Sequence, residues 1–150
     1  MTEEKNTSDR ELKITRLINA PRELVWKMWT EPEHIKHWWG PAGFKNTISK
    51  MDVRMNGEWE FIMHGPDGTD YRNKHIYLEV KKPERLVLKH VIGPSFIMTA
   101  TFEAQGDKTL VTMHGLFESA EQLQQLIREV GADKGMKENM DRLEEYIAKL

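Results

Sequence analysis

The chain contains no cysteine, which removes a disulfide framework, a thiol nucleophile and cysteine-based zinc or iron–sulfur sites, and suits a reducing compartment. Long apolar runs are missing as well: nowhere do about 18 apolar residues follow one another. The opening MTEEKNTSDR has acids among its bases and no apolar stretch of the signal-peptide kind. Neither secretion nor membrane spanning is expected, and a cytoplasmic location is. A surplus of one charge is also lacking, since 22 Lys and Arg face 24 Asp and Glu for a net charge of −2, so no field for nucleic acid is expected. There is no glycine-rich phosphate loop, no G-x-S-x-G elbow, no pair of Glu-x-x-His motifs and no H-E-x-x-H. Nucleotide, serine-hydrolase, di-iron and zincin chemistry therefore have no footing, and no cofactor or metal is expected.

What is present is material for one core. A chain of 150 residues and 17.6 kDa buries about 69% of its extended surface on folding, enough without staples. Five Trp, five Phe, three Tyr and nine Met are to carry the packing. Residues 1–10 read as a flexible polar leader, and 11–150 as one domain.

Leu12, Ile14, Arg16 and Ile18 alternate with Lys13 and Thr15, which predicts a strand closing at Asn19-Ala20-Pro21. Leu24, Val25, Met28 and Trp29 then form a compact helical stripe. A second helix is expected with Thr30 as cap and Pro32 in its first turn, with Ile35, Trp38 and Trp39 on one side and Gly40-Pro41 as the stop. Six period-two runs follow: Lys45 to Arg54, Glu58 to His64, Tyr71 to Val80, Arg85 to Val91, Phe96 to Ala104 and Lys108 to Leu116, joined by short turns. After a cap at Ser119 the period is helical again. Gly131 interrupts it, and the last segment to Leu150 aligns Met136, Met140, Leu143, Ile147 and Leu150.

The order is β-α-α-β6-α, an α+β fold with one curved antiparallel sheet of about seven strands and a long terminal helix across it. A straight helix on a concave sheet leaves an elongated pocket between them. Parity assigns Trp59, Phe61 and Met63 to its wall, then Phe96, Met98, Ala100 and Phe102, then Val111 and Met113, with Met136 and Met140 opposite. Trp39 joins them from the second helix. Thioethers on both walls suit variable apolar ligands. The fourth predicted strand is ambiguous, because Tyr71, His75 and Tyr77 or Ile76, Leu78 and Val80 would each make a face. His75 and His90 sit where an inward imidazole would orient a ligand or act as general base. His34, His37, His64 and His114 read as surface residues, and Asp52 with Arg54 as a structural ion pair.

Several stretches carry a family resemblance: Ala20-Pro21-Arg22-Glu23-Leu24-Val25-Trp26, Thr30-Glu31-Pro32-Glu33-His34, Trp38-Trp39-Gly40-Pro41, Asp52-Val53-Arg54 with Gly57, Pro66-Asp67-Gly68, Tyr77 with Glu79, and Pro83-Glu84-Arg85-Leu86. In this order they resemble the Hsp90-ATPase-activator-like (AHSA1) family of the START/Bet v 1-like superfamily. The resemblance implies a helix-grip fold and implies that His75 and Tyr77 face the cavity. It brings no universal catalytic residue. Two departures stand out: Asn56-Gly57 where the family often has Gly-Gly, and Gly135-Met136 where it often has Gly-Trp. The second takes a large ring from one end of the cavity.

Three functions follow, in this order of expectation. The first is a binding protein that holds a small hydrophobic or amphipathic molecule between sheet and terminal helix. The second is an enzyme, a cyclase or hydrolase of apolar substrates, using His75 or His90. The third is a chaperone partner that regulates an Hsp90-type ATPase, as the family name implies, although the additional N-terminal domain of the eukaryotic activator has no counterpart in the stretch read here. The sheet edges could also pair in a homodimer.

Overall fold

The computed structural model describes residues 8–150. The first seven positions of the expected leader lie outside the described residues, and Ser8–Arg10 form a 3-10 turn in which Arg10 donates to the carbonyl of Phe117 at 2.7 Å. Strand β1 (Glu11–Ile18) leads into helices α1 (Arg22–Thr30) and α2 (Pro32–Ile35). Strands β2 (Lys45–Met51), β3 (Glu58–His64), β4 (Asp70–Lys81), β5 (Arg85–His90), β6 (Phe96–Gln105) and β7 (Lys108–Phe117) follow, then α3 (Ala120–Val130) and α4 (Ala132–Ala148). The seven strands form one antiparallel sheet in the order β1-β7-β6-β5-β4-β3-β2. Short hairpins keep β2 to β7 in sequence order, and β1 returns beside β7, leaving β1 and β2 as edges.

Strict alternation makes the inner face. Trp59 and Phe61 on β3, Leu86 and Leu88 on β5, Met98, Ala100 and Phe102 on β6, and Val111 and Met113 on β7 are all buried. On β4 the buried set is His75 and Tyr77, which settles the ambiguous strand; a register shift after Tyr77 then turns Val80 inward in place of Glu79. Arg16 belongs to the inner set of β1, and its guanidinium reaches past the core to Asp141 at 2.9 Å and Glu144 at 3.1 Å on α4.

The helices depart from expectation in three places. Thr30 does not cap α2: its hydroxyl donates back to the carbonyl of Trp26 at 2.8 Å, and Glu31 is the capping position. Helix α2 ends at Ile35, and tight turns carry the chain through Trp38 and Trp39. Helix α4 ends at Ala148, so Leu150 falls beyond the apolar stripe and is exposed. Ser119 does cap α3, accepting from the Gln122 amide at 3.0 Å, and Gly131 at φ 63° breaks α3 from α4 in a left-handed turn that costs other residues more.

The concavity of the sheet is filled by more than the terminal helix. Val25, Trp26, Met28 and Trp29 of α1 and Ile35, Trp38 and Trp39 of the next turn are buried in the same core as Met140 and Leu143 of α4. Trp29 sits at 5.0 to 5.7 Å from the rings of Trp38, Trp39 and Phe102, edge to face.

Candidate functional site

A row of rings crosses the inner face of the sheet. Strand register places Trp59 opposite His75, His75 opposite His90, His90 opposite Phe96 and Phe96 opposite Phe117. Their ring centroids follow at 5.1, 5.1, 4.8 and 5.0 Å. Phe61 lies beside the row, 4.3 Å from Trp59 and 5.7 Å from His75, while Trp39 closes over it at 5.1 and 6.2 Å from the same two rings. Two imidazoles thus stand in the middle of an aromatic ladder.

Their surroundings differ. His90 is held between two oxygen atoms, the Pro94 carbonyl 2.7 Å from Nδ1 and the Asn73 side-chain oxygen 2.9 Å from Nε2. The Asn73 amide nitrogen is in turn committed to the Tyr71 carbonyl at 3.1 Å. Burial lowers the His90 pKa, and the Pro94 carbonyl works in the opposite direction. His75 has no such support: Nδ1 is buried without a partner, and burial, reinforced by the neighbouring His90, lowers its pKa from 6.5 to about 3. It is a neutral ring at ordinary pH. Trp59 Nε1 and the Tyr77 hydroxyl are also buried without partners, and burial raises the Tyr77 pKa. An unpaired buried polar atom costs about 1 to 3 kcal/mol, so three on two neighbouring strands need a reason.

Of the residues expected at the cavity, Trp39, Trp59, Phe61, His75 and His90 come together in this ladder. Tyr77, Met98, Phe102, Met113 and Met140 are buried in the same interior, and Met63 and Met136 are half-buried at its margin. The elongated hollow expected between sheet and terminal helix is taken up by the rings of α1 and the Trp38-Trp39 turn. A pocket of about 150 Å³ lies at the surface of β2, β3 and β4, lined by Ser49, Glu60, Ile62, Arg72 and Ile92 and reaching Phe61 and Asn73. A larger cleft of about 590 Å³ opens elsewhere, between α4 and the segment entering β2.

That segment is fastened by two polar residues that sequence reading passed over. Arg142 donates from Nη1 to the carbonyls of Trp39, Gly40 and Pro41 at 2.9, 3.1 and 2.9 Å, and from Nη2 to those of His37 and Phe44 at 3.1 and 2.8 Å. Asn139 donates to the Trp38 carbonyl at 3.1 Å and accepts from the Gly40 amide at 3.2 Å. Asn139 and Arg142 are three apart on the buried side of α4, and a polar pair beside an apolar stripe was the available signal. His34 is less solvated than expected, half-buried with Nδ1 2.8 Å from the Tyr146 hydroxyl, whereas His37 is exposed as expected and stacks on the Tyr146 ring at 5.6 Å. His64 is a surface residue between Thr47 and Asp70, both at 2.7 Å, whereas His114 is half-buried against Glu11. Arg54 and Asp52 do pair, at 2.7 Å. Glu31, Glu33 and His34 bring one potential ligand atom each to within 4.8 Å of one another, on a partly exposed turn.

The sequence profile described as "Activator of Hsp90 ATPase homolog 1-like protein" matches residues 19–148. The chain belongs to this Hsp90-ATPase-activator-like family. Its seven-stranded curved sheet and terminal helix are the helix-grip fold of the START/Bet v 1-like superfamily. A crystal structure of a Nitrosomonas europaea protein is 26% identical, with a TM-score of 0.85 over 95% of this chain and 96% of that one. A solution structure from Arthrobacter aurescens is 24% identical, with a TM-score of 0.88 over 98% and 91%. An AHSA1-like protein from Aeromonas hydrophila is 21% identical, with a TM-score of 0.71 over 92% and 93%. No curated protein matches the chain in sequence. Among the described residues, no helix is long and apolar enough to cross a membrane.

Proposed function

We propose that this family member binds a small amphipathic molecule in its interior, against the aromatic ladder of β3, β4 and β5. The observation that supports this reading is the trio of buried, unpartnered polar atoms on two adjacent strands, Trp59 Nε1, His75 Nδ1 and the Tyr77 hydroxyl. A ligand with an apolar body and one or two polar atoms would offset that cost while stacking on Trp59 and Phe61. Room comes from movable parts, because Met98, Met113 and Met140 adjust at small cost.

Catalysis by the same site is the second reading, favoured by both histidines facing inward. The low basicity of His75 makes it a better hydrogen-bond acceptor than proton acceptor, so binding is ranked above general-base chemistry. Regulation of a chaperone ATPase draws on the family description alone.

Native mass spectrometry and thermal shift against a panel of lipids and polar aromatics test the proposal. A retained ligand that raises the melting temperature in the parent protein, with the gain reduced in Trp59→Phe and His75→Phe, is the expected result. No retained ligand and no shift across the panel would overturn it.

A further inference from the structure

The cleft of about 590 Å³ lies apart from the ladder and has a different chemistry. Its wall carries Lys36, His37, Phe44, Lys45, Asn46 and Arg142, and no carboxylate. Among the described residues, neither Lys36 nor Lys45 has an ion-pair partner, although Lys50, Lys74, Lys81 and Lys137 are all paired. The charge of Arg142 is positioned without being neutralised: all five of its bonds go to backbone carbonyls, which leave the net charge intact. Glu138 and Glu145 act on it from α4 without lining the cleft.

The wall is also held in place. Asn46 Nδ2 donates to the carbonyls of Lys36 at 3.2 Å and Trp39 at 2.9 Å, which ties the start of β2 to the turn after α2, while Arg142 fixes the turn from His37 to Phe44. A site whose walls are already ordered loses little entropy on binding. Phe44 adds an aromatic surface, half-buried and backed by Tyr71 at 6.0 Å. The volume is within the roughly 300 to 1,000 Å³ that small-molecule pockets have.

We propose that this cleft is a second binding site, for a small organic anion: a carboxylate or phosphate ester whose charge is met by Lys36, Lys45 and Arg142 and whose apolar body lies on Phe44. An overall charge of −2 argues against nucleic acid as the occupant. The proposal does not depend on the interior site.

Amide-resolved NMR titration with phenyl phosphate, benzoate and neutral benzyl alcohol tests it and separates the two anion classes. The anions are expected to move the amides of residues 36, 37 and 43–46 and the Arg142 side-chain N–H, leaving His75 and His90 unmoved. Benzyl alcohol is expected to bind at least tenfold more weakly. The surface double substitution Lys36→Glu with Lys45→Glu is expected to weaken anion binding roughly 100-fold, about tenfold per charged contact, at an unchanged melting temperature. Phe44→Ser should weaken phenyl phosphate while leaving inorganic phosphate as it was, and rising salt should weaken both. Shifts confined to the ladder, equal affinity for benzyl alcohol, or undiminished binding by the double variant would each overturn the proposal.

Discussion

Trp59 and His75 face one another across β3 and β4, their rings stacked 5.1 Å apart at 24°, and each carries a buried nitrogen with no partner. Trp38, equally buried, differs in one respect: its Nε1 donates to the Met28 carbonyl at 3.1 Å. Trp38→Phe and Trp59→Phe remove similar volumes, but only the first strands a carbonyl. The Trp38 variant is therefore expected to lose about 1 to 2 kcal/mol more stability than the Trp59 variant. Urea denaturation of the two proteins, read as midpoint at constant slope, checks the difference.

Arg142 closes the fold between its last helix and the turn before β2. Lysine keeps the charge but cannot present a planar fork to carbonyls on both sides. Arg142→Lys is expected to cost about 2 to 4 kcal/mol, with several half-buried carbonyls losing their donor together. Hydrogen exchange should show where: the amides of residues 37–44 are expected to exchange faster in the variant than the strand amides do.

Turn chemistry at the β2–β3 connection predicts unequal costs at adjacent residues. Asn56 has φ 67°, a left-handed conformation that Asn and Gly tolerate, and its amide donates to the Tyr77 carbonyl at 2.7 Å. Asn56→Gly is expected to stay within about 0.5 kcal/mol of the parent, and Asn56→Val to cost about 1 to 2 kcal/mol. At Gly57 a Cβ would lie 2.0 Å from the Asp52 carbonyl oxygen and 2.9 Å from that of Arg54, both backbone atoms. Gly57→Ala is expected to cost more than either Asn56 variant, roughly 3 kcal/mol. Melting temperatures of the three proteins order them.

The sheet was legible because period two assigns faces without knowledge of partners: Trp59, Phe61, Met98, Phe102 and Met113 could be placed inward from spacing alone. The ladder was not, because it depends on register, and register between β3, β4 and β5 is set by turn lengths and a bulge after Tyr77 that alternation does not encode. The filled interior escaped for a related reason. Helical spacing showed that Trp29, Trp38 and Trp39 would be buried, but not that α1 would lie close enough to occupy the space assigned to a ligand. Polar fastening was least visible: Thr30 reads as a cap and instead bonds Trp26, while Asn139 and Arg142 gain meaning only once the Trp38–Phe44 turn lies beneath them.

The His75 pKa makes the ladder testable without a ligand. In the folded chain burial holds it at about 3 against an ordinary 6.5. Between those values the unfolded chain takes up a proton that the native imidazole does not. Stability must then fall as pH falls through this window, by up to about 1.4 kcal/mol per pH unit for one group, and is restored as pH rises above the ordinary value. His90, also lowered by burial, adds a slope of the same sign. His75→Phe removes one titrating group while keeping a ring between Trp59 and His90. Urea unfolding of parent and variant at pH 6.0 and 5.0, above most carboxylate titration, is expected to show the parent losing about 1 kcal/mol more than the variant over that unit. Equal losses in the two proteins would mean that the imidazole charges freely in the native state, which is incompatible with a buried place between Trp59 and His90.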